Sequence, residues 1–223
     1  MLLIGIDDAG RGPLIGPMIL GGVVIKKEDE KNLKEIGAKD SKLLAHKERM
    51  RLSEIIKSQV IDYKLVLATP EEIDDAIFSG LNLNTLEAMK MAEIINYLNT
   101  SKEPIKVIVD CPSINIETWQ KKLISFIKNP SNLTISCEHK ADFNHPVVSA
   151  ASILAKVVRE EEVEKIKAKY GNIGSGYPSD PYMQKFLKEN GKSLADSGIF
   201  RKSWATWKAI FPATKSQKKL GDY

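Results

Sequence analysis

Leu2-Leu3-Ile4-Gly5-Ile6-Asp7-Asp8, near the start of the chain, is an apolar run that stops at two aspartates. A short apolar run bounded in this way predicts a buried β-strand with acidic residues at its carboxyl end. The next five residues, Ala9-Gly10-Arg11-Gly12-Pro13, have the composition of a turn. Residues 18–25 form a second β-prone run. Two strands around a short glycine-rich turn predict an antiparallel hairpin.

Three further strands and four helical segments are predicted downstream. The β-prone runs occupy residues 60–68, 105–109 and 133–137. Helices are predicted at residues 46–58, from Thr69-Pro70 onward, at residues 84–98, and from Pro146 onward. The last helix is apolar nearly all round in its first half, so that half should be buried. The order of these elements predicts a mixed α/β layer rather than a strictly alternating doubly wound sheet.

The size and charge of the chain set broad limits on its class. Its 223 residues fit one main domain over residues 1–200, followed by a small helical extension and tail over residues 201–223. Its 33 basic and 29 acidic residues give a net charge of +4, which permits a nucleic-acid partner without requiring one. The two cysteines lack CxxC spacing and should be buried reduced thiols. Early acidic residues argue against a signal peptide, and no apolar stretch is long enough for a bilayer, so we expect a cytoplasmic monomer without a membrane partner.

Four acids stand at or just beyond the carboxyl ends of predicted strands: Asp7, Asp8, Asp110 and Asp142. Binding sites of open α/β sheets are usually built at this edge. Converging carboxylates repel one another unless a cation lies among them, and Mg²⁺ binds carboxylate and phosphate oxygens. Two metals can stabilise both the attacking and the leaving oxygen of a phosphodiester. Any one acid alone is better explained by a structural role, and Asp7 and Asp8 converge only if the backbone turns at the end of the strand.

The glycine-rich segment around Arg11 matches no nucleotide-binding fingerprint. Gly10-Arg11-Gly12 with Gly16 is one residue too long for GxGxxG and precedes a strand-like run, and no Gly-Lys-Ser/Thr follows it. The loop can still offer backbone N–H groups and the charge of Arg11 to a phosphate or sugar. A plain β-turn explains the same composition equally well. Serine and zinc hydrolases are disfavoured, because the GxSxG and HExxH motifs are absent.

Several ordered segments between residue 4 and about residue 180 carry a resemblance to a known family. They are Gly5-Ile6-Asp7-Asp8-Ala9-Gly10-Arg11-Gly12-Pro13, Lys39-Asp40-Ser41-Lys42-Leu43, Val109-Asp110, His139-Lys140-Ala141-Asp142 with the helical residues 148–159, and Ser175-Gly176-Tyr177-Pro178-Ser179-Asp180. One segment alone would be weak, but together they are highly specific. The chain resembles the ribonuclease HII family (type 2 ribonucleases H), in an archaeal-like form.

The resemblance implies a ribonuclease H-like α/β fold: a five-stranded mixed sheet, three antiparallel strands then two parallel, flanked by helices. It also implies an endonuclease that uses Mg²⁺ or Mn²⁺ and acts in DNA replication and ribonucleotide excision repair. The implied substrates are RNA–DNA hybrids and duplex DNA that contains single ribonucleotides. The implied cut lies on the 5′ side of a ribonucleotide and leaves 3′-hydroxyl and 5′-phosphate ends.

The resemblance also implies a role for each site residue. Asp7 would bridge two metals, and Asp8, Asp110 and Asp142 would complete the ligand set. Gly10-Arg11-Gly12 would present its backbone to the ribose 2′-hydroxyl, which distinguishes RNA from DNA at one residue. Tyr177 would stack on the sugar next to the junction, although a half-buried loop tyrosine has the same sequence. Lys42 would contact a phosphate, although a solvated lysine fits nearly as well.

Position 8 departs from the family pattern, which normally has glutamate there. Aspartate is one methylene shorter, so its oxygens fall about 1 Å short, and misplacement of that order can cost about 100-fold in rate. A compensating backbone, a bridging water or an introduced substitution would each explain Asp8. The alternative function is therefore a hybrid-duplex binding protein whose catalysis is impaired.

The end of the chain carries a second pattern, Gln-x-x-Leu-x-x-aromatic, formed by Gln217, Leu220 and Tyr223. It resembles the peptide that docks on DNA sliding clamps by inserting apolar side chains into a pocket. A basic tail that touches DNA is the alternative. Upstream, a basic and aromatic surface against duplex is a further hypothesis, although core tryptophans are the better explanation; it involves Arg201, Lys202, Trp204, Trp207 and Lys208.

Overall fold

A computed structural model describes residues 1–37 and 45–212 of the chain. Within these ranges, five strands form one mixed sheet in the order β3-β2-β1-β4-β5. The strands are β1 (Leu2–Ala9), β2 (Met18–Lys26), β3 (Asp62–Ala68), β4 (Ile105–Asp110) and β5 (Leu133–Glu138). β2 pairs antiparallel with β1 and β3, whereas β1, β4 and β5 run parallel. The predicted five-stranded mixed sheet is confirmed.

Nine helices lie within the same described ranges. They are α1 (Glu30–Glu35), α2 (His46–Gln59), α3 (Pro70–Phe78), α4 (Leu83–Leu98), α5 (Ile116–Ser125), α6 (Ala141–Asn144), α7 (Pro146–Tyr170), α8 (Pro181–Asn190) and α9 (Ala205–Ile210). The predicted start at Thr69-Pro70 is confirmed, since the Thr69 side chain accepts a hydrogen bond of 3.0 Å from the Glu72 N–H. Pro146 is the first residue of the long helix α7, as predicted.

One face of the sheet is covered by the apolar half of α7. Gly5 of β1 makes this close approach possible, because a Cβ at Gly5 would lie 2.6 Å from the backbone nitrogen of Val148. The helices α1 and α2 pack beside α7 and contribute Leu33, Leu52 and Ile56 to the same buried cluster. On this face of the sheet, β1 therefore packs closely against the amino-terminal half of α7.

The other face of the sheet is covered by α3, α4 and α5. Ile4 and Ile6 of β1 pack there with residues of α4 such as Met91 and Ile95. Side chains along a strand alternate between its faces, so Leu3, Gly5 and Asp7 face α7, whereas Ile4, Ile6 and Asp8 face α4. The free cysteines Cys111 and Cys137 are buried on this side, as predicted.

The predicted strand with acidic residues at its carboxyl end is confirmed, and β1 extends beyond its apolar run. The strand continues to Ala9, and Asp7 and Asp8 pair with Gly21 and Leu20 of β2. The physical reason is the antiparallel partner: β2 supplies backbone hydrogen bonds along the whole of β1, so the aspartates do not interrupt it. The chain turns only after Ala9, at Gly10, whose φ is 85°.

A third apolar cluster joins the segment after the glycine-rich loop to the end of the described chain. Leu14 and Ile15 are fully buried in it beside Phe186, Phe200 and Trp207. Ile15 forms an isolated antiparallel bridge with Phe200. The loop at residues 10–17 is thus anchored by residues almost 190 positions away. None of the described helices combines the length and hydropathy that crossing a bilayer demands.

Candidate active site

Two of the predicted site residues, Asp7 and Asp110, lie side by side at the carboxyl end of parallel strands. The last pair between β1 and β4 is Ile6 with Val109, so each aspartate is the next residue beyond it. In-register residues of neighbouring strands point to the same face, here the face of α7. Asp7 is 4% exposed. Its pKa is raised well above the ordinary value by burial and by the negative charges of Asp8 and Asp110.

Two donors partly oppose this rise at Asp7. The Asp8 N–H donates a hydrogen bond of 2.8 Å to Asp7 Oδ1. The Ser152 side chain of α7 also hydrogen-bonds to the Asp7 carboxylate and lowers its pKa. Because α7 approaches β1 closely at Gly5, Ser152 reaches the carboxylate from beneath the sheet. Even with both donors, Asp7 retains an electrostatic cost that a cation would relieve.

Asp8 faces the α4 side of β1, opposite to Asp7. Burial and the charge of Glu87 on α4 raise the pKa of Asp8 to about 7, while Arg11 and Lys156 act in the opposite direction. The charge of Asp110 also raises the pKa of Asp8, so Asp8 still interacts electrostatically with the pair formed by Asp7 and Asp110. Glu87 was not identified from the sequence. It is fully buried, and its own pKa is raised to about 7, chiefly by burial.

Asp142 reaches the same edge of the sheet through a short turn after β5. Lys140 adopts a left-handed conformation with a φ of 57°, and α6 begins at the next residue. The Ala141 N–H then donates a hydrogen bond of 2.7 Å to Asp110 Oδ1. This bond ties the start of α6 to the end of β4 and leaves Asp142 adjacent to Asp110, with 7% of its surface exposed.

The four predicted acids therefore come from two strand ends and one helix start at a single edge of the sheet. Their oxygen donors suit a hard divalent cation, and burial together with neighbouring negative charges raises the pKa values of Asp7 and Asp8. Residues 1–37 and 45–212 contain no ready-made group of three metal-ligating side chains. A closed cage is not required, because Mg²⁺ retains waters and takes part of its ligands from substrate phosphates. The residues present fit such a cation.

The Gly10-Arg11-Gly12 loop begins two residues after Asp8 and is fixed on both sides. A Cβ at Gly10 would lie 2.6 Å from Arg159 Cδ and 2.9 Å from the Pro17 carbonyl oxygen. The Arg11 guanidinium turns toward α4, where Nε donates 2.8 Å to Glu87 Oε1 and Nη2 donates 2.5 Å to Asn84 Oδ1. The Arg11 side chain is thus paired with a buried carboxylate although 39% of it is exposed, and Gly12 is the exposed glycine of the loop.

Tyr177 lies against this loop. A Cβ at Gly12 would be 3.3 Å from Tyr177 Cε1, and 40% of the Tyr177 surface is exposed. The guanidinium carbon of Arg159 is 5.4 Å from the centre of the Tyr177 ring, and Arg159 Nη2 donates 3.1 Å to the Ser175 carbonyl. The Leu14 N–H donates 2.8 Å to the Gly176 carbonyl, which joins the two loops directly.

Arg201 belongs to the site rather than to a surface. It is 0% exposed, which overturns its predicted place on a basic face against duplex. Its guanidinium donates to the carbonyls of Gly10, Arg11 and Gly16. Burial lowers the pKa of Arg201 to about 10, so the side chain remains charged at neutral pH. Trp207 lies in the core, as expected for a tryptophan.

Some predicted residues lie outside the described ranges. They are Lys42 of the Asp-Ser-Lys segment and the tail residues Gln217, Leu220 and Tyr223. Their predicted roles stay predictions. Sequence reasoning missed the site roles of Glu87 and Arg201: Glu87 stands in no motif singled out above, and Arg201 was assigned to a basic surface instead.

Comparisons with known proteins agree with this geometry. The sequence profile of the family Ribonuclease HII matches residues 4–207. The ribonuclease HII of Pyrococcus furiosus is 43% identical over 221 residues, which cover 98% of this chain and 95% of that protein. The ribonuclease HII of Methanocaldococcus jannaschii is 40% identical over 232 residues, covering 99% of each chain.

Solved structures show the same likeness. The ribonuclease H2 of Pyrococcus horikoshii superposes with a TM-score of 0.85 at 39% identity, covering 94% of this chain and 97% of that one. The ribonuclease HII of Archaeoglobus fulgidus, solved in a complex with PCNA, gives a TM-score of 0.80 at 36% identity, covering 92% and 95%. A ribonuclease HIII solved with Mn²⁺, at 20% identity and a TM-score of 0.73, shares the fold.

The mixed sheet and its carboxylate edge define a metal-dependent endonuclease of the ribonuclease H class, which degrades the RNA of RNA–DNA hybrids. Within that class, this chain belongs to the ribonuclease HII family. The family assignment covers the carboxylate edge, the glycine-rich loop and the tyrosine loop, since all of them lie within residues 4–207.

Proposed function

We propose that this protein cuts at single ribonucleotides embedded in duplex DNA as well as within longer hybrids. The cut falls on the 5′ side of the ribonucleotide and leaves 3′-hydroxyl and 5′-phosphate ends. The observation that carries the proposal is the short separation along the chain between the proposed catalytic carboxylates and the proposed ribose-binding loop. Asp7 and Asp8 are followed after one residue by the Gly10-Arg11-Gly12 loop, so the loop begins directly beyond the end of the strand that carries both carboxylates.

Four residues would hold the divalent cations: Asp7, Asp8, Asp110 and Asp142. Such ions lower the pKa of the attacking water and stabilise the charge that develops on the phosphate. The oxygen-only donor set accepts either Mg²⁺ or Mn²⁺. Ser152 and the Asp8 N–H orient the Asp7 carboxylate, and the Ala141 N–H orients that of Asp110. These bonds keep the two central ligands in place before substrate arrives.

The protein's own groups would recognise the ribose. The backbone of Gly10-Arg11-Gly12 would contact the 2′-hydroxyl, which is the only group that separates RNA from DNA at one residue. Tyr177 would stack on the neighbouring sugar, since its ring lies over Gly12 with part of its surface exposed. Arg11 would act indirectly, because its guanidinium is paired with Glu87. Lys42 would contact a backbone phosphate.

A hybrid-binding protein with impaired catalysis is the second candidate, and Asp8 favours it. The carboxylate of Asp8 is short for a family that normally has glutamate, and it lies on the α4 side of β1, where the negative charge of Glu87 raises its pKa. A short carboxylate on that side would coordinate a metal beside Asp110 less well. Activity measurements on the native chain and on Asp8→Glu separate the two candidates.

The deciding experiment is cleavage of a labelled duplex that carries one ribonucleotide, with Mg²⁺, Mn²⁺ or a chelator. We expect cleavage by the native chain with either metal and none with the chelator. Cleavage by Asp8→Glu alone would establish the impaired candidate. Binding of the duplex by both proteins without cleavage by either would refute the catalytic proposal.

The proposed partner beyond nucleic acid is the DNA sliding clamp. The Archaeoglobus relative was solved in a complex with PCNA, and this chain ends in the pattern formed by Gln217, Leu220 and Tyr223. A monomer is sufficient for the proposed activity, because one chain supplies every residue of the site.

A further inference from the structure

The segment at residues 199–204 runs alongside the glycine-rich loop and is bonded to it along its length. The Gly16 N–H donates 2.9 Å to the Ile199 carbonyl, and the Arg201 N–H donates 2.9 Å to the Leu14 carbonyl. This segment has its own anchor on the far side, since the Asp74 carboxylate accepts bonds from the Lys202 and Ser203 N–H groups at 2.6 and 2.8 Å. The loop therefore rests on a fixed support.

Within this segment, the buried guanidinium of Arg201 binds the glycine-rich loop. Arg201 Nη2 donates 2.7 Å to the Gly10 carbonyl, Nη1 donates 2.8 Å to that of Arg11, and Nε donates 3.0 Å to that of Gly16. Burying an arginine is costly unless its donors are satisfied. Here they are satisfied by backbone carbonyls, which an arginine can engage in a fixed planar fork. A side chain used only to fill space would not need that fork.

Trp204 completes the set of bonds. Its Nε1–H donates 3.1 Å to the Gly12 carbonyl, and its ring stacks with the Arg201 guanidinium at 4.9 Å. The carbonyls of Gly10, Arg11 and Gly12 thus all turn toward residues 201–204. No other part of the described chain holds this loop by so many of its carbonyls.

The direction of these carbonyls fixes the direction of the loop's N–H groups. In a trans peptide the C=O of one residue and the N–H of the next point in opposite directions. The N–H groups of Arg11 and Gly12 consequently point away from Arg201. Neither donates a hydrogen bond within residues 1–37 and 45–212, and Gly12 is exposed. Two unused donors face outward beside Tyr177.

We propose that Arg201 is a positioning residue for ribose recognition: by holding the loop carbonyls inward, it presents the Arg11 and Gly12 N–H groups to the sugar. This inference rests on the proposed contact between the loop and the 2′-hydroxyl. Removing the fork lets the peptide planes rotate, so the protein keeps its affinity for duplex but loses part of its preference for a ribonucleotide.

The test compares two constants for each protein with Mg²⁺ present. One is the KM for a duplex with a single ribonucleotide, and the other is the Ki of the matching all-DNA duplex as a competitor. Neither constant depends on the active fraction, so their ratio is insensitive to partial misfolding. For Arg201→Lys, which keeps the charge but loses the fork, we expect KM to rise about tenfold with Ki unchanged.

Two further variants keep the test decisive. Trp204→Phe retains one aromatic ring but loses the donor to Gly12 together with part of the indole, so it should raise KM by about threefold and answer the question if Arg201→Lys does not fold. Leu187→Ala is the control, because Leu187 is buried in the third apolar cluster but has no hydrogen bond with Gly10, Arg11 or Gly12 within the described residues. It should lower the stability and leave the ratio of Ki to KM unchanged.

The outcomes separate this inference from the proposed function. A native chain that does not cut contradicts the proposed catalytic function, and one whose Ki equals its KM contradicts ribose recognition itself. A native chain that discriminates, beside Arg201→Lys and Trp204→Phe proteins with the native ratio, overturns the role of Arg201 alone. A fall in kcat without a change in the ratio also overturns it, because a merely structural residue gives that result.

Discussion

Asp7 and Asp110 stand next to each other because Ile6 and Val109 form the last pair between two parallel strands. Beyond that pair β1 continues to Ala9 along β2 while β4 ends, which opens the sheet where the carboxylates lie. Asp7 is buried there among like charges. The repulsion between these carboxylates destabilises the metal-free protein but creates a site that attracts cations. The first prediction follows from this repulsion.

Asp7→Asn should abolish cleavage and stabilise the protein in the absence of metal. The amide removes a buried charge that Asp8 and Asp110 repel, while it keeps the shape of the side chain. We expect a loss of about 100-fold or more in kcat. In chelator the melting temperature should rise by about 2–4 °C, which corresponds to about 1 kcal/mol for a chain of this size. A lower melting temperature than that of the native chain would contradict the repulsion.

The stability of the metal-free protein should fall as pH rises from about 4 to about 7. The folded-state pKa values of Asp8 and Glu87 are raised to about 7 from 3.8 and 4.5, so in this window the folded state holds protons that the unfolded chain releases. The stabilisation is complete below the unfolded values and is lost as pH passes the folded ones. Urea unfolding in chelator measures it across the window.

Glu87→Gln is the matched control for this pH effect. The amide still accepts the bond from Arg11 Nε but does not titrate, so the difference in unfolding free energy between it and the native chain should vary with pH only below about 7. A difference that is constant over the whole range would show that Glu87 titrates normally.

Gly10→Ala and Gly12→Ala should behave differently although they lie two residues apart. Gly10 has a positive φ and no room for a Cβ beside Arg159 and the Pro17 carbonyl, so Gly10→Ala should cost about 1–3 kcal/mol. Gly12 meets only the movable ring of Tyr177, so Gly12→Ala should stay within about 0.5 kcal/mol of the native stability. Denaturant unfolding of both variants checks this.

The same pair also tests recognition. Displacement of Tyr177 in the Gly12→Ala protein should raise KM for a single ribonucleotide several-fold, while the Ki of an all-DNA duplex stays the same. Tyr177→Phe is the control, because its ring remains against Gly12. Native kinetics in the Gly12→Ala protein would argue against any contact between the loop and the sugar.

Deletion of residues 217–223 should remove clamp binding and leave cleavage of short duplexes unchanged. The pattern of Gln217, Leu220 and Tyr223 lies beyond the family match at residues 4–207, so the active site does not need it. Calorimetry with the purified clamp measures the loss, and Leu220→Ala provides a single-residue version. Unchanged clamp affinity in both proteins would contradict the assignment.

The parts of the fold that depend on local pattern could be predicted from the sequence. Apolar runs located all five strands, and Thr69-Pro70 and Pro146 located two helix starts, because strand burial and helix caps leave short-range signals. The extension of β1 to Ala9 could not be predicted in this way, since it depends on pairing with β2, which carries the strand through Asp7 and Asp8. Pairing partners are distant in sequence, so a local pattern does not contain them.

The carboxylates of the site could be predicted, whereas the residues that position them and the loop could not. Asp7, Asp8, Asp110 and Asp142 follow strands or resemble family motifs. Glu87 lies inside a helix and meets Arg11 from 76 positions away, and Arg201 meets the loop from about 190 positions away. A buried arginine or glutamate looks like a surface charge in sequence, because its burial depends on tertiary packing alone.

The most direct test of the account is the position and chemistry of the cut on a 5′-labelled duplex with one ribonucleotide, beside an otherwise identical all-DNA duplex. The account predicts a single metal-dependent product that ends 5′ to the ribonucleotide with a 3′-hydroxyl, and no product from the all-DNA duplex. Cleavage on the 3′ side of the ribonucleotide, or equal cleavage of both duplexes, would contradict the account.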